Sequence, residues 1–281
     1  MMKPLKIYGL LFMAMLCVSS CVNLKHVNTY SSESLTGVQY FETLNYSFQQ
    51  SCLDKCFEEK INALEFLDQN CNCKQEKVAD SITLKIYASV FGYFGGLTNL
   101  SDNDLTSYKT EALSNALSEG DFGSITIKKE HVESYTKVSQ LLIHAFTDSY
   151  RKKKIKTYVK DANASVKSLI SFLDFNISSN LNGKLEVKKN RLKADYFDLV
   201  KDTSLSNFEK RNTIKEYYNS ILEIEQQQAK FTAYSKTLSA ISAGHQKLSD
   251  DIEHVSSKTV KQELFESASE IKSIISELKK L

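Results

Sequence analysis

The chain predicts an all-α protein, an elongated bundle of about five or six long helices. Three observations carry that prediction. Of 281 residues only one is proline (Pro4) and nine are glycine, whereas a β-sandwich or an α/β domain needs turn residues every ~8–15 positions. Apolar residues recur at three- and four-residue spacing along most of the chain, the period of a helix face. The composition, 42% hydrophobic and 25% charged, is that of a globular chain long enough for one sizeable core or two small ones.

In order, residues 1–20 read as a signal peptide. Lys3 and Lys6 start it, an apolar run follows from Ile7 to Val18, and Ser19 and Ser20 lead to Cys21. The run is about 12 residues, short of the ~20 that span a bilayer. Residues 21–36 are polar and aperiodic and read as a flexible tether to the folded body. The body is a single helical domain, 37–281. Its first helix is expected from about Gly37 into the Leu64–Leu67 region, with Leu53, Phe57, Ile61 and Leu64 on one face. A cysteine-bearing break, Cys71-Asn72-Cys73, follows. The second helix carries Val78, Ile82, Ile86, Val90 and Phe94. Gly95-Gly96 weaken it, and Ser101-Asp102-Asn103-Asp104 look like a stop and a new N-cap.

A third, shorter helix is expected over about Leu105 to Leu117, with Gly120 and Gly123 in a loop. The fourth starts near Lys128 and carries Val138, Leu141, Leu142, Ile155, Val159, Val166, Leu169 and Leu173. Along it, Asp161-Ala162-Asn163 reads as a break or a polar turn, and Asn182-Gly183 as a kink. Ser206-Asn207-Phe208-Glu209 fits a capping box, opening a long helix with Ile214, Tyr217, Ile221, Phe231, Leu238, Ile241 and Leu248. Thr259 and Gln262 suggest the cap of a last helix that uses Val260, Leu264, Ile271, Ile275 and Leu278.

The stretch Val18-Ser19-Ser20-Cys21 resembles the lipobox of bacterial lipoproteins. That resemblance implies cleavage before Cys21 and a diacylglycerol on its thiol. Two or more acyl chains hold a protein stably on a membrane where one does so only reversibly. Val22 stands where an Asp favours inner-membrane retention in enterobacterial lipoproteins, so the resemblance places the protein in the cell envelope, on the periplasmic face of the outer membrane. The helical body, with Gly244-His245 late in the chain, is vaguely similar to helical lipoproteins of Gram-negative bacteria, which implies no activity.

Cys52, Cys56, Cys71 and Cys73 remain. An even number in an exported chain argues for two disulfides; a four-thiolate metal site is the alternative. Nested pairs, Cys56–Cys71 and Cys52–Cys73, would staple a helical hairpin. A straight helix to Leu67 would carry the chain some 15 Å or more from Cys56, and bridged Cα atoms lie within about 7 Å. Either that helix breaks early or the pairs differ.

Charge excludes one class of partner. The 36 Lys+Arg fall to 34 when Lys3 and Lys6 leave, against 34 Asp+Glu, poor support for nucleic acid. Arg151-Lys152-Lys153-Lys154-Ile155-Lys156 is the densest basic run. It fits a solvated helix face or terminal turn, or a contact with anionic headgroups. Ile82 to Leu97 is unusually apolar and fits a buried helix better than a membrane-inserting segment. His245 falls on the face of Leu238, Ile241 and Leu248, where a lone histidine is usually a hydrogen-bonded core residue and otherwise a candidate ligand-binding group. His131 and His144 show no spacing that links them to it. No HExxH, GxSxG, GxxxxGK or GxGxxG pattern occurs. These observations lead to a non-enzymatic envelope lipoprotein, held to its membrane through Cys21, that scaffolds or binds another envelope protein or polymer through a helical surface. It is expected to need no cofactor and no metal. The alternative is a periplasmic ligand or metal carrier with a site between helices near His245.

Overall fold

The computed structural model describes residues 24–65, 70–102, 117–147 and 151–281, with only the backbone at 144–147 and 151–153. Residues 1–20, Cys21, Asn103, Asp104 and 105–116 of the expected third helix lie outside the described residues. The architecture is the expected one, an elongated all-α bundle.

Its first helix corrects the sequence reading. Residues from Leu24 onward are no flexible tether, because α1 (Lys25–Gln39) is a central helix with Val27, Tyr30 and Val38 fully buried. It packs on three others, namely α3 (Lys74–Ser101), α7 (Asn207–Asp250) and α8 (Lys258–Leu278). The polarity of the segment hides this because most of its hydroxyls turn back onto the helix. Thr29, Ser31 and Thr36 donate to the carbonyls of Lys25, Asn28 and Ser32, while the hydroxyl of the fully buried Ser34 finds no hydrogen-bond partner among the described residues.

Two glycines let α1 lie close to α7. A Cβ on Gly37 would sit 2.8 Å from Thr237 Cγ2, and one on Gly244 would sit 2.5 Å from Tyr30 Cε2. Tyr30 then crosses the gap and donates its hydroxyl to the Ile241 carbonyl at 2.6 Å. The Gly95-Gly96 pair that was expected to weaken α3 also marks a close approach. Tyr158 Oη would lie 2.6 Å from a Gly96 Cβ, and α3 runs unbroken to Ser101. The apolar stretch Ile82–Leu97 is its core face, with Ile86, Val90, Phe94 and Leu97 all fully buried.

α2 (Phe48–Asn62) ends earlier than the sequence suggested. Leu64 adopts the left-handed conformation (φ 56°). Glu65 N–H donates to the Lys60 carbonyl and Leu64 N–H to that of Ile61, the Schellman termination with leucine where glycine is usual. That early stop removes the geometric conflict over the cysteines. Cys52–Cys73 and Cys56–Cys71 are bridged, with Cα separations of 5.9 and 6.1 Å. Asp80 of α3 also receives the N–H groups of Phe48 and Gln49 at 2.8 and 2.9 Å. Two bridges and a borrowed N-terminal cap thus pin α2 to α3.

The expected Gly120–Gly123 loop is a two-stranded hairpin, β1 (Gly120–Phe122) with β2 (Ile125–Ile127), turned at Gly123 with φ 60° as a two-residue connection requires. The expected fourth helix is two, α4 (Lys129–Thr147) and α5 (Arg151–Asp174). Asp161-Ala162-Asn163 is no break, and Ala162 is fully buried within α5. α5 passes through a π-helical turn, Phe175–Leu181, into α6 (Asn182–Lys201). The irregularity expected at Asn182-Gly183 therefore falls one turn earlier. Ser206 and Glu209 form the capping box that opens α7. At α8 the cap is Ser257, which accepts from Val260 N–H, two residues before the Thr259 that the pattern suggested.

Two substitutions test this packing. Leu64 is exposed, so Leu64→Gly relieves the left-handed strain without losing core contact; stability should rise by about 0.5–1 kcal/mol in urea unfolding. Gly244→Ala gains helix propensity but meets Tyr30, and overpacking of about 1–3 kcal/mol should leave it net destabilised, read as a lower Tm.

Candidate functional site

His245 sits where α3, α5 and α7 meet. It is buried, with Tyr93 edge-on at a centroid distance of 5.2 Å and Phe94 at 6.0 Å. Asn163 Oδ1 lies 2.9 Å from Nδ1 and Tyr93 Oη 2.7 Å from Nε2. An amide oxygen can only accept, so Nδ1 carries the proton and Nε2 accepts from the tyrosine. Asn163 is held in turn by its Nδ2 donation to Gln246 Oε1 at 3.2 Å. Tyr158 stacks on Tyr93 at 5.0 Å and donates to its carbonyl. Burial lowers the His245 pKa to about 4 and pushes that of Tyr93 well up. The imidazole is therefore neutral with both nitrogens engaged. The arrangement ties three helices together and leaves no ring nitrogen for a ligand. Asn163 and Tyr93 were not legible as partners, being 82 and 152 residues away in sequence.

Of the other candidates, Cys21 lies outside the described residues, as does the side chain of His144. His131 stands on α4 against Phe172, at a ring distance of 4.7 Å, remote from the His245 cluster. Cys52, Cys56, Cys71 and Cys73 are consumed in disulfides. Among the described residues no group of His, Cys, Asp and Glu could hold a metal ion, and no helix is long and apolar enough to cross a membrane.

The surface most available to a partner is at the far end of α6 and α7. Leu185 is the only buried residue of α6, and the first buried residue of α7 is Ile224. The 17 positions of α7 before Ile224 extend it by about 25 Å at 1.5 Å per residue. Two helices alone enclose no core, so apolar side chains stay outside. Phe208 is 73% exposed, Tyr218 61%, Phe197 60% and Leu222 56%. Large exposed apolar patches are the usual mark of a contact with another molecule, and these four side chains share the two helices of the extension. Of the positions that the apolar spacing picked out in this part of α7, Tyr217 and Ile221 are half-buried, with Tyr217 against Tyr196 at a ring distance of 5.7 Å; the four exposed side chains lie outside that pattern and stay uncovered among the described residues.

At the base of the hairpin, α2, α6 and α7 enclose a cleft of about 410 Å³ lined by Tyr46, Asp54, Glu58, Lys188 and Glu223 among others. Lys188 Nζ pairs with Asp54 Oδ2 at 2.8 Å and Arg191 Nη2 with Glu58 Oε2 at 3.0 Å. The second contact is close in distance but misaligned, and neither Glu58 oxygen makes a directed hydrogen bond. Burial raises the Glu58 pKa against the pull of Arg191 and Lys188. These pairs brace the hairpin against the disulfide-stapled α2.

Comparisons with known protein families, with curated proteins and with solved structures return no match.

The His245 network makes stability depend on pH. The folded-state pKa, about 4, lies below the unfolded value of ~6.5, so the unfolded chain takes up the proton first. The stabilisation is complete above about pH 6.5 and falls away toward pH 4, by about 3 kcal/mol in all. His26 and His131 are also lowered by burial and add in the same direction. Urea unfolding between pH 7 and 4 should show this loss, and His245→Gln should flatten the slope while lowering stability at pH 7.

Proposed function

We propose that this protein is a non-enzymatic lipoprotein of the bacterial cell envelope, anchored through Cys21 on the periplasmic face of the outer membrane, that binds another envelope component through the projecting α6–α7 hairpin. The observation that carries the reading is the hairpin itself, an extension without a core that keeps Phe197, Phe208, Tyr218 and Leu222 exposed. The lipobox-like Val18-Ser19-Ser20-Cys21 carries the anchor. The braced base supports the reading further, since a rigid platform lowers the ordering cost of association. The same two helices also carry Lys189, Arg211, Glu216 and Glu225, with Lys189 paired to Glu225 at 2.7 Å, and protein-binding patches join apolar centres to polar surroundings.

Two measurements test it in living cells. A photocrosslinking amino acid at position 218 should give a discrete adduct that Phe208→Asp abolishes, while the same group at Phe265 on α8, exposed to a similar degree, should give none. Adducts of equal intensity at both positions, or at neither, would end the hairpin reading. Labelled palmitate should enter the wild type and not Cys21→Ala, and label retained in the mutant defeats the anchor.

A further inference from the structure

Two residues, Val22 and Asn23, separate the lipid attachment point from Leu24, which is buried, and from α1, which is core from its first turn. The anchor therefore has almost no slack. At ~3.3–3.6 Å per residue, the Cα of Cys21 lies no more than about 10 Å from that of Leu24. Headgroups occupy roughly 5–8 Å on each side of the hydrocarbon. Lengthening the leash by melting α1 would expose Val27 and Tyr30 and break the Tyr30–Ile241 hydrogen bond.

The end of the bundle held there is well defined. His26 Nε2 lies 2.7 Å from the Val255 carbonyl, just beyond α7 and before α8. Asn28 Nδ2 donates to the Thr98 carbonyl in the last turn of α3. Lys156 and Lys160 of α5 both reach Glu253, at 2.8 and 2.9 Å. One end thus gathers the starts of α1, α5 and α8 and the finishes of α3 and α7. α5 opens with the densest basic run in the chain, Arg151 to Lys156. Lys25 and Lys258 open α1 and α8, and Lys261 stands beside His26. Lys247 adds to them, while Asp102, Asp250, Asp251, Glu253 and Glu263 are the acids of these turns among the described residues.

We infer that this end is a membrane-docking face, seated on the anionic headgroups of the bilayer that holds the Cys21 lipid, so that the bundle stands on the membrane and carries the hairpin away from it. The inference rests on the lipoprotein reading. Basic residues are drawn to an anionic surface within about a Debye length of it, and the short leash keeps them within that range. α7, with 44 residues, then places Phe208 about 65 Å from the docked end.

The chain contains no tryptophan, so single donors can be introduced cleanly. Mature acylated protein carrying Ser256→Trp at the docked end, or Phe208→Trp at the tip, would be reconstituted in phosphatidylglycerol vesicles containing dansyl-phosphatidylethanolamine. Thr259→Trp supplies a second donor at the docked end. Mass spectrometry first reads the Cys21 lipid, and an unmodified Cys21 removes the lipoprotein reading and the docking face with it. With the lipid present, energy transfer should be at least fivefold greater from position 256 or 259 than from 208. Inserting twelve Gly and Ser residues between Asn23 and Leu24 should leave that transfer within twofold at low salt and reduce it at high salt. Equal transfer from both ends, or its loss at low salt after the insertion, overturns the docking face while leaving the anchor intact.

Discussion

The structure depends on how closely α1 can approach α7. Gly37 and Gly244 remove the two Cβ atoms that would hold the helices apart, and Tyr30 fills the space with a ring and closes it with a hydrogen bond to Ile241. Everything else is arranged around that contact. α8 packs against both helices and α3 against α1. Immediately beside Gly244, His245 bonds to Tyr93 of α3 and Asn163 of α5, so two neighbouring residues of α7 tie it to three helices. One is an absence of side chain, and the other a polar group whose hydrogen bonds work only in a fixed geometry. Close packing makes both intolerant of displacement.

That interior is unusually polar for a helical core, with Ser31, Ser34, Thr83, Ser89, Asn176, Thr237 and His245 all buried. Many of these hydroxyls return to their own helix. Thr83 donates to Ala79 and Thr237 to Ala233. Others cross between helices, as Thr98 does to Ser31. Small hydroxyl-bearing residues let helices approach where larger aliphatics would separate them. The long tyrosines Tyr30, Tyr93 and Tyr234 then cross the interfaces and end on carbonyls or on the histidine.

This composition explains what the sequence disclosed and what it hid. The fold class was legible because the scarcity of proline and glycine excludes turn-rich folds, and the start of α7 because the capping box is a local pattern, Ser206 to Glu209. α1 was hidden because its burial is achieved through Ser31, Ser34 and Gly37, which score as polar or permissive. The stop of α2 was hidden because Leu64 stands where glycine would announce it. The His245 cluster is assembled from three helices, so no spacing reports Asn163 or Tyr93. In the α6–α7 hairpin the periodicity reported the half-buried positions, Tyr217 and Ile221, while Phe208, Tyr218 and Leu222 fall off that stripe and carry no periodic signal of their own.

The burial of α1 and the exposure of the hairpin are two parts of one mechanical arrangement. Had residues 24–36 been a flexible tether, the body would be mechanically uncoupled from whatever precedes it in the chain. With α1 in the core from Leu24, a force applied at Leu24 passes into α7 through Tyr30 and Gly244, and along α7 to Phe208. The disulfides and the Asp80 cap hold α2 at the foot of the projecting segment, where Lys188 and Arg191 meet Asp54 and Glu58. A two-helix extension hinged at its base would fold its apolar face back onto the body, and these braces oppose that collapse. The two bridges of α2 are thus placed where the bundle ends and the unsupported hairpin begins, the region in which burial alone contributes least to stability.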